Sequence, residues 1–316
     1  MAARPRLVTP TFALVTTGAF FYFLGYGTTL PVLPVYVDGP LEGGDVAVGL
    51  VVGAFSLTAV VLRPLAGRLG DRRGRRILVV GGSSIVALAV LGTGLWHVIA
   101  AVVGLRLLAG AGESGFFTGA ATIINDLAPD ERRGEALSFF TVSLYLGLAL
   151  GPLLGEWVLH GRGYDEVWLM SAALTVLPAM MFVRLPDTRP ARAAASEPQG
   201  SRRFLHPAAL PPGMIMTTSV IAFAGYSSFL PLYAREDLKL SGAAPIFLVY
   251  SLLILGVRVL GARIPDAFGA RVVAPVSLSC AAAGLTVVAA LPTVWGLYAG
   301  TALFALGQSL AFPTLM

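Results

Sequence analysis

The sequence predicts an all-α integral membrane protein of ten spans, built as two parallel six-helix repeats of which the second is incomplete. Three observations predict it. Of its 316 residues 56% are hydrophobic and 12% charged, where a soluble domain carries about 25% charge. The apolar residues fall in runs of about twenty, the length that crosses about 30 Å of hydrocarbon. The chain also resembles itself at a shift of 195 to 200 positions. A water-soluble globule is excluded, and a mean hydropathy of +0.79 leaves too much to bury for disorder. The net charge is +5, but the basic residues cluster between apolar runs. That placement suits lipid headgroups and cytoplasmic loops, so no nucleic-acid partner is expected. Cys280, the single cysteine, excludes an intrachain disulfide framework and a cysteine-built metal site.

The runs are taken in chain order. The first, 12–35, follows Arg4 and Arg6, is too long for a signal peptide and lacks a cleavage site, so it stays as an anchor. The second, 46–67, ends in a basic cluster. Residues 77–125 hold only Arg106 and Glu113 as charges, too long a stretch for one crossing. It divides at Trp96-His97 into 77–96 and 98–124, because a Trp belongs at the interface. The fifth and sixth runs, 136–159 and 166–184, are parted by a segment carrying Arg162. Runs seven and eight, 213–234 and 244–264, are parted by one carrying Arg235 and Lys239. Residues 272–316 hold no Asp, Glu, Lys or Arg, and Pro292 divides them into 272–292 and 294–316. With the N-terminus in the cytoplasm, sixteen of the 22 Lys and Arg lie on the cytoplasmic side and three outside. Arg63, Arg106 and Arg258 fall within helices. This orientation places the chain in the cytoplasmic (inner) membrane as a multi-pass protein.

At a shift of 195, Arg63, Arg68, Asp71, Gly74 and Arg76 meet Arg258, Arg263, Asp266, Gly269 and Arg271. At 200, Gly25-Tyr26 and Leu30-Pro31 meet Gly225-Tyr226 and Leu230-Pro231. The repeat unit is six helices, an even number that returns the chain to its starting side, so the halves are parallel repeats. The expected organisation is a six-helix bundle over 1–186, a Pro-, Ala- and Arg-rich cytoplasmic linker over 187–208, and a four-helix bundle over 209–316.

Residues 63–76 read RPLAGRLGDRRGRR, and Gly67, Asp71, Arg72, Gly74, Arg75 and Arg76 in it match a known pattern. The segment resembles the signature loop of the major facilitator superfamily, with a decayed copy at 258–271 that keeps Asp266 and Arg271. Arg106 to Gly110 resembles the second motif of that family. Gly147, Gly151-Pro152 and Gly155 resemble the third, typical of proton-linked exporters, with Ser138 and Glu156 at two of its glycine positions. The resemblance implies two halves rocking about a midplane cavity and proton-coupled efflux of a small organic solute. Its implied partners are substrate, protons and lipid, with no cofactor and no enzymatic activity. It also implies that the signature loop clamps the cytoplasmic helix ends. The family has twelve helices, so the chain is expected to lack two of the second half, leaving an apolar flank to lipid or another chain.

Charges inside spans mark function by default. Arg106, Gly110, Glu113 and Phe117 share one helix face by their spacing. Glu113 is either a protonatable coupling group biased by Arg106, or part of a permanent structural pair, or a neutral Glu hydrogen-bonded between helices. Glu156, near the outer end of its helix, is either a coupling or substrate residue or an interfacial carboxylate. Tyr26 and Tyr226, repeat-related, either contact substrate or pack as ordinary aromatics. Gly147, Gly151 and Gly155 recur every four residues, a pattern for close helix packing, and Pro152 among them removes a helix hydrogen bond. Gly112 to Gly115 reads GESG, like an intramembrane serine protease. No histidine lies at that depth to activate Ser114, and the repeat copy at 307–310 points to packing. No phosphate-binding loop or channel filter is evident. A non-transporting receptor on the same scaffold is the remaining alternative.

Overall fold

The computed structural model describes residues 7–185, 210–260 and 270–311. The described residues are helical and contain no strand. In the first half α1 spans Pro10–Asp38, α2 Gly44–Val61, α3 Arg63–Arg73, α4 Arg75–Leu95 and α5 Ile99–Leu127. A short 3-10 turn, Asp130–Arg132, leads into α6, Arg133–Gly161, and α7 is Tyr164–Phe182. In the second half α8 spans Leu210–Glu236, α9 Ala244–Leu260, α10 Ala270–Ala290 and α11 Val294–Ala311. Among the described residues each of the ten apolar runs is therefore occupied by helix. Seven described helices are long and apolar enough to cross a membrane, namely α1, α2, α4, α5, α6, α7 and α10, while α9 is a shorter apolar helix. The linker expected at 187–208, Asp266 and the side chain of Arg271 lie outside the described residues.

The expectation of a single helix over 46–67 is corrected. α2 stops at Val61, and the separate helix α3 carries the basic motif on to Arg73. Pro64 supplies the reason: it cannot donate into the ladder of α2, yet at the start of α3 its missing N–H is no loss. Arg72 and Arg73 close α3, where cations favour the carbonyl end. Gly74 then turns the chain into α4 with φ 95° and ψ 154°, a conformation that strains any residue with a Cβ.

α1 is the centre of the first half, packed on α6 and α7, with α4 on α5 and α7, and α2 on α5. Trp168, Phe12, Tyr22, Phe116 and Phe182 fill this core. The small-residue stripe of α6 forms the seam with α1. A Cβ on Gly147 would fall 2.7 Å from Leu24 N, and one on Gly151 2.6 Å from Gly27 Cα. A Cβ on Gly155 would press on Thr28 O. α6 nonetheless runs unbroken through Pro152. In the second half α11 packs on α9 and α10 around Phe247, Tyr250 and Phe304. The halves meet where α6 packs on α9 and where α1 and α2 pack on α8. Leu50, Leu57, Leu88, Met180, Leu252 and Trp295 face outward, an apolar exterior suited to acyl chains.

Candidate functional site

Glycines turn one face of α5 inward. A Cβ on Gly112 would fall 2.7 Å from Gly82 O of α4, and one on Gly110 would meet Phe55 O and the Thr58 side chain of α2. Thr58 Oγ1 also donates to Leu107 O at 2.9 Å. Held from both sides, α5 points Glu113 at α1. Among the described residues Glu113 and Arg106 are the buried charged groups, 8% and 6% exposed. Tyr22 Oη donates to Glu113 Oε2 at 2.7 Å, and the Tyr22 ring stacks on Phe116 with centroids 3.7 Å apart.

Arg106 has other company. Its guanidinium lies 4.4 Å over the Phe55 ring and beside Tyr26, which stacks on Phe55 at 5.0 Å. The basic group whose charge bears on Glu113 is Arg63, in place of the expected Arg106. Seven residues of helix separate Arg106 from Glu113 by about 10 Å along the axis, so sharing a face does not bring them together.

A cavity of about 180 Å³ lies between the halves. Arg63, Phe117, Tyr145 and Leu148 line it from the first half, and Ser219, Val220, Phe223, Tyr250, Arg258 and Gln308 from the second. Glu113, Arg106, Tyr26, Tyr226 and Glu156, the residues expected at a cavity, are not among them. Tyr226 is a core aromatic, its hydroxyl 2.7 Å from Thr301 Oγ1 and its ring against Tyr250 and Phe304. Sequence reasoning does not single out the cavity's own arginines, Arg63 and Arg258, as candidates. The signal for them is in the sequence: Arg63 and Arg258 are repeat partners and, with Arg106, the basic residues that the charge tally assigns to neither side of the membrane.

Glu156 has a definite task. Its Oε1 accepts from the backbone N–H of Ala243 at 2.6 Å and of Ala244 at 3.1 Å, at the start of α9. A first-half carboxylate thus caps a second-half helix, satisfying donors that α9 leaves open. Any motion that parts the halves at this end must break these bonds. Glu156→Ala is expected to weaken the closure by about 1 kcal/mol, about fivefold in equilibrium. Hydrogen exchange of the 240–247 segment should quicken accordingly, while Glu156→Gln, which keeps an acceptor oxygen, should stay near wild type.

At the opposite end Arg75 pairs with Asp126 and lies 3.8 Å from Asp71, whose side chain is 70% exposed. Arg76 Nη1 donates to Leu185 O at 3.3 Å. These contacts tie the start of α4 to the ends of α5 and α7, all in the first half. A Cβ at Gly67 would meet nothing, whereas one at Gly70 would fall 2.7 Å from Leu78 Cδ1, so Gly70 is the close-packed glycine of the loop. Arg72 sits in the last turn of α3. Ser114 Oγ donates to Ala111 O of its own helix at 2.9 Å, a packing arrangement.

Two helical bundles with repeat-related sequences, around a charged cavity and with an apolar exterior, are an architecture of membrane solute transporters. The chain matches the model of the Major Facilitator Superfamily over residues 15–316, and it belongs to that family. It is 28% identical over 309 residues to an uncharacterized MFS-type transporter of Salmonella typhimurium, covering 95% of this chain and 78% of that one. It is 26% identical over 229 residues to multidrug resistance protein 1 of Bacillus subtilis, covering 71% of this chain and 58% of the relative. Against quinolone resistance protein NorA of Staphylococcus aureus the identity is 27% over 221 residues, covering 68% and 55%. The chain thus spans little more than half the length of those two resistance proteins. The fold matches the crystal structure of the human organic anion transporter MFSD10 with a TM-score of 0.73 at 19% identity, covering 98% of this chain and 85% of that one. It matches that of the nucleoside transporter NupG with a TM-score of 0.73 at 14% identity, covering 95% and 80%.

Proposed function

We propose that the chain moves a small organic solute across the cytoplasmic membrane by alternating access, as proton-coupled efflux, with its N-terminus on the cytoplasmic side. The observation that carries the reading is the cavity between repeat-related halves, with buried Glu113 one helical turn from the cavity residue Phe117. Rocking of the halves exposes such a cavity to each side in turn. A ligand drives that change only through unequal affinity for the two states. Gain or loss of a proton at Glu113 changes the charge in the core of the first half and supplies that inequality. The tally of basic residues supports the orientation, and the names of the resistance relatives support efflux.

The signature loop has a part in this reading. Asp71, Arg72, Arg75 and Arg76 hold the cytoplasmic helix ends and Gly74 supplies the turn between α3 and α4, and the second half keeps Asp266 and Arg271 in its sequence copy of the loop. The test is reconstitution of the full chain in liposomes with a panel of labelled organic cations, anions and neutral solutes, with and without a pH gradient. Accumulation that follows the gradient is expected. Saturable binding without accumulation would make the protein a receptor.

A further inference from the structure

We infer that the turn between α8 and α9 is the gate at the end of the molecule away from the signature loop, a strap held shut at two points, and that Gly242 is the residue that lets it latch. The inference rests on the alternating-access reading and names the device that closes one side.

The first hold is the Glu156 carboxylate on the amides of Ala243 and Ala244. Gly242, Ala243 and Ala244 are buried, so these bonds are shielded from competing water. The seat exists because residue 242 has no side chain. A Cβ there would land on the carboxylate, 2.6 Å from Oε1, the oxygen that accepts from both N–H groups. The φ of Gly242 is not positive, so the backbone would suit an alanine. What the glycine supplies is room.

The second hold lies at the other end of the strap. Arg235, in the last turn of α8, is within hydrogen-bonding reach of the Tyr164 hydroxyl at the start of α7, and its charge also bears on Glu156. Tyr164 is braced in turn by Tyr36, whose ring centroid is 5.1 Å away and whose hydroxyl lies 2.8 Å from His97 Nδ1. Both holds therefore join a second-half element to a first-half one.

The strap between them is stiff. Leu238 N donates to Tyr233 O at 3.2 Å and Leu240 N to Ala234 O at 2.8 Å, folding the turn back onto the end of α8. The two holds thus open together. Along α6 eleven residues separate Glu156 from the cavity residue Tyr145, and along α9 fourteen separate Ala244 from Arg258. These are about 16 and 21 Å of helix, so the strap governs access to the cavity from a distance.

The experiment reads the gate without a solute. The full chain carries spin labels at Arg162→Cys and Asp237→Cys, both exposed positions, in a Cys280→Ser background. Pulsed electron resonance in liposomes gives the distance between them. A dominant short distance is expected, with a minor long one for the open gate. Gly242→Ala should raise the open population about fivefold, the effect of losing one helix cap, and Glu156→Ala should do the same. The unfolding temperature of Gly242→Ala in detergent should hold, because the carboxylate can rotate away from the new methyl. In the Glu156→Ala background Gly242→Ala should change nothing, since the group it displaces is gone. Arg235→Ala should raise the open population about twofold in either background, the smaller effect of an exposed contact. An unchanged distance in Gly242→Ala would overturn the inference, as would an equal effect with and without Glu156. A fall in its unfolding temperature would make Gly242 a packing glycine and overturn it too, and so would a single distance in every variant. Solute movement in the same liposomes is read separately: its absence counts against the transporter, while the label distances still judge the strap.

Discussion

Glu113→Gln is expected to reduce pH-gradient-driven solute movement to the level seen without a gradient, a fall of at least about tenfold or about 1.4 kcal/mol of lost driving. Gln keeps the size of the side chain and a carbonyl oxygen that accepts from Tyr22 Oη, so the bond that holds α5 to α1 survives. What it removes is the capacity to gain and lose a proton. Insertion and thermal unfolding should be unchanged, and solute should still equilibrate down its own gradient. Tyr22→Phe is the companion variant: it removes the donor and keeps the carboxyl, so gradient-driven movement should persist. Gradient-driven movement that survives in Glu113→Gln would remove the coupling role from this residue. The measurement is the initial rate in proteoliposomes with and without an imposed gradient, normalised to inserted protein.

Gly151→Val should damage folding severely. A Cβ there falls 2.6 Å from Gly27 Cα and 2.7 Å from Leu24 O, both backbone atoms that cannot rotate away. Overpacking of this kind costs about 1–3 kcal/mol when side chains can yield, and here α1 and α6 must separate. The loss is therefore expected at or beyond the upper end of that range, seen as a lower unfolding temperature in detergent and a fall in folded yield. Gly27→Ala should do less, because its Cβ meets Gly147 O at 3.0 Å and Gly151 Cα at 3.1 Å. Gly134→Ala, with nothing within 4 Å, should be neutral. Equal behaviour of the three would show that the α1–α6 seam has slack that the backbone distances deny.

Much of the architecture was legible because its causes are local. The division at Trp96-His97 matches the gap between α4 and α5, and Pro292 falls between α10 and α11. The Gly147–Gly155 stripe reads as a contact face, and it is one. The site was less legible. Shared spacing on α5 linked Arg106 to Glu113, yet spacing is silent about neighbours on α1 and α2, where Phe55, Tyr26 and Tyr22 divide the two charges between them. Glu156 reads as a carboxylate near a helix end; its partners stand 87 and 88 positions later in the chain. Arg63 reads as the first member of a basic loop, and the break at Leu62 decides that it begins a separate helix.

The apolar runs, the twofold repeat and the membrane setting follow from residue order alone. In hydrocarbon each segment must satisfy its backbone within itself and show apolar side chains outward, conditions that a single run of residues can meet. Which polar group turns inward is a different matter. It depends on how each helix is rotated, and that rotation is set where backbones from distant segments touch, Gly82 against Gly112 and Gly27 against Gly151. Only the assembled bundle therefore gave Glu113 to Tyr22, Arg106 to Phe55, and Arg63 with Arg258 to one cavity.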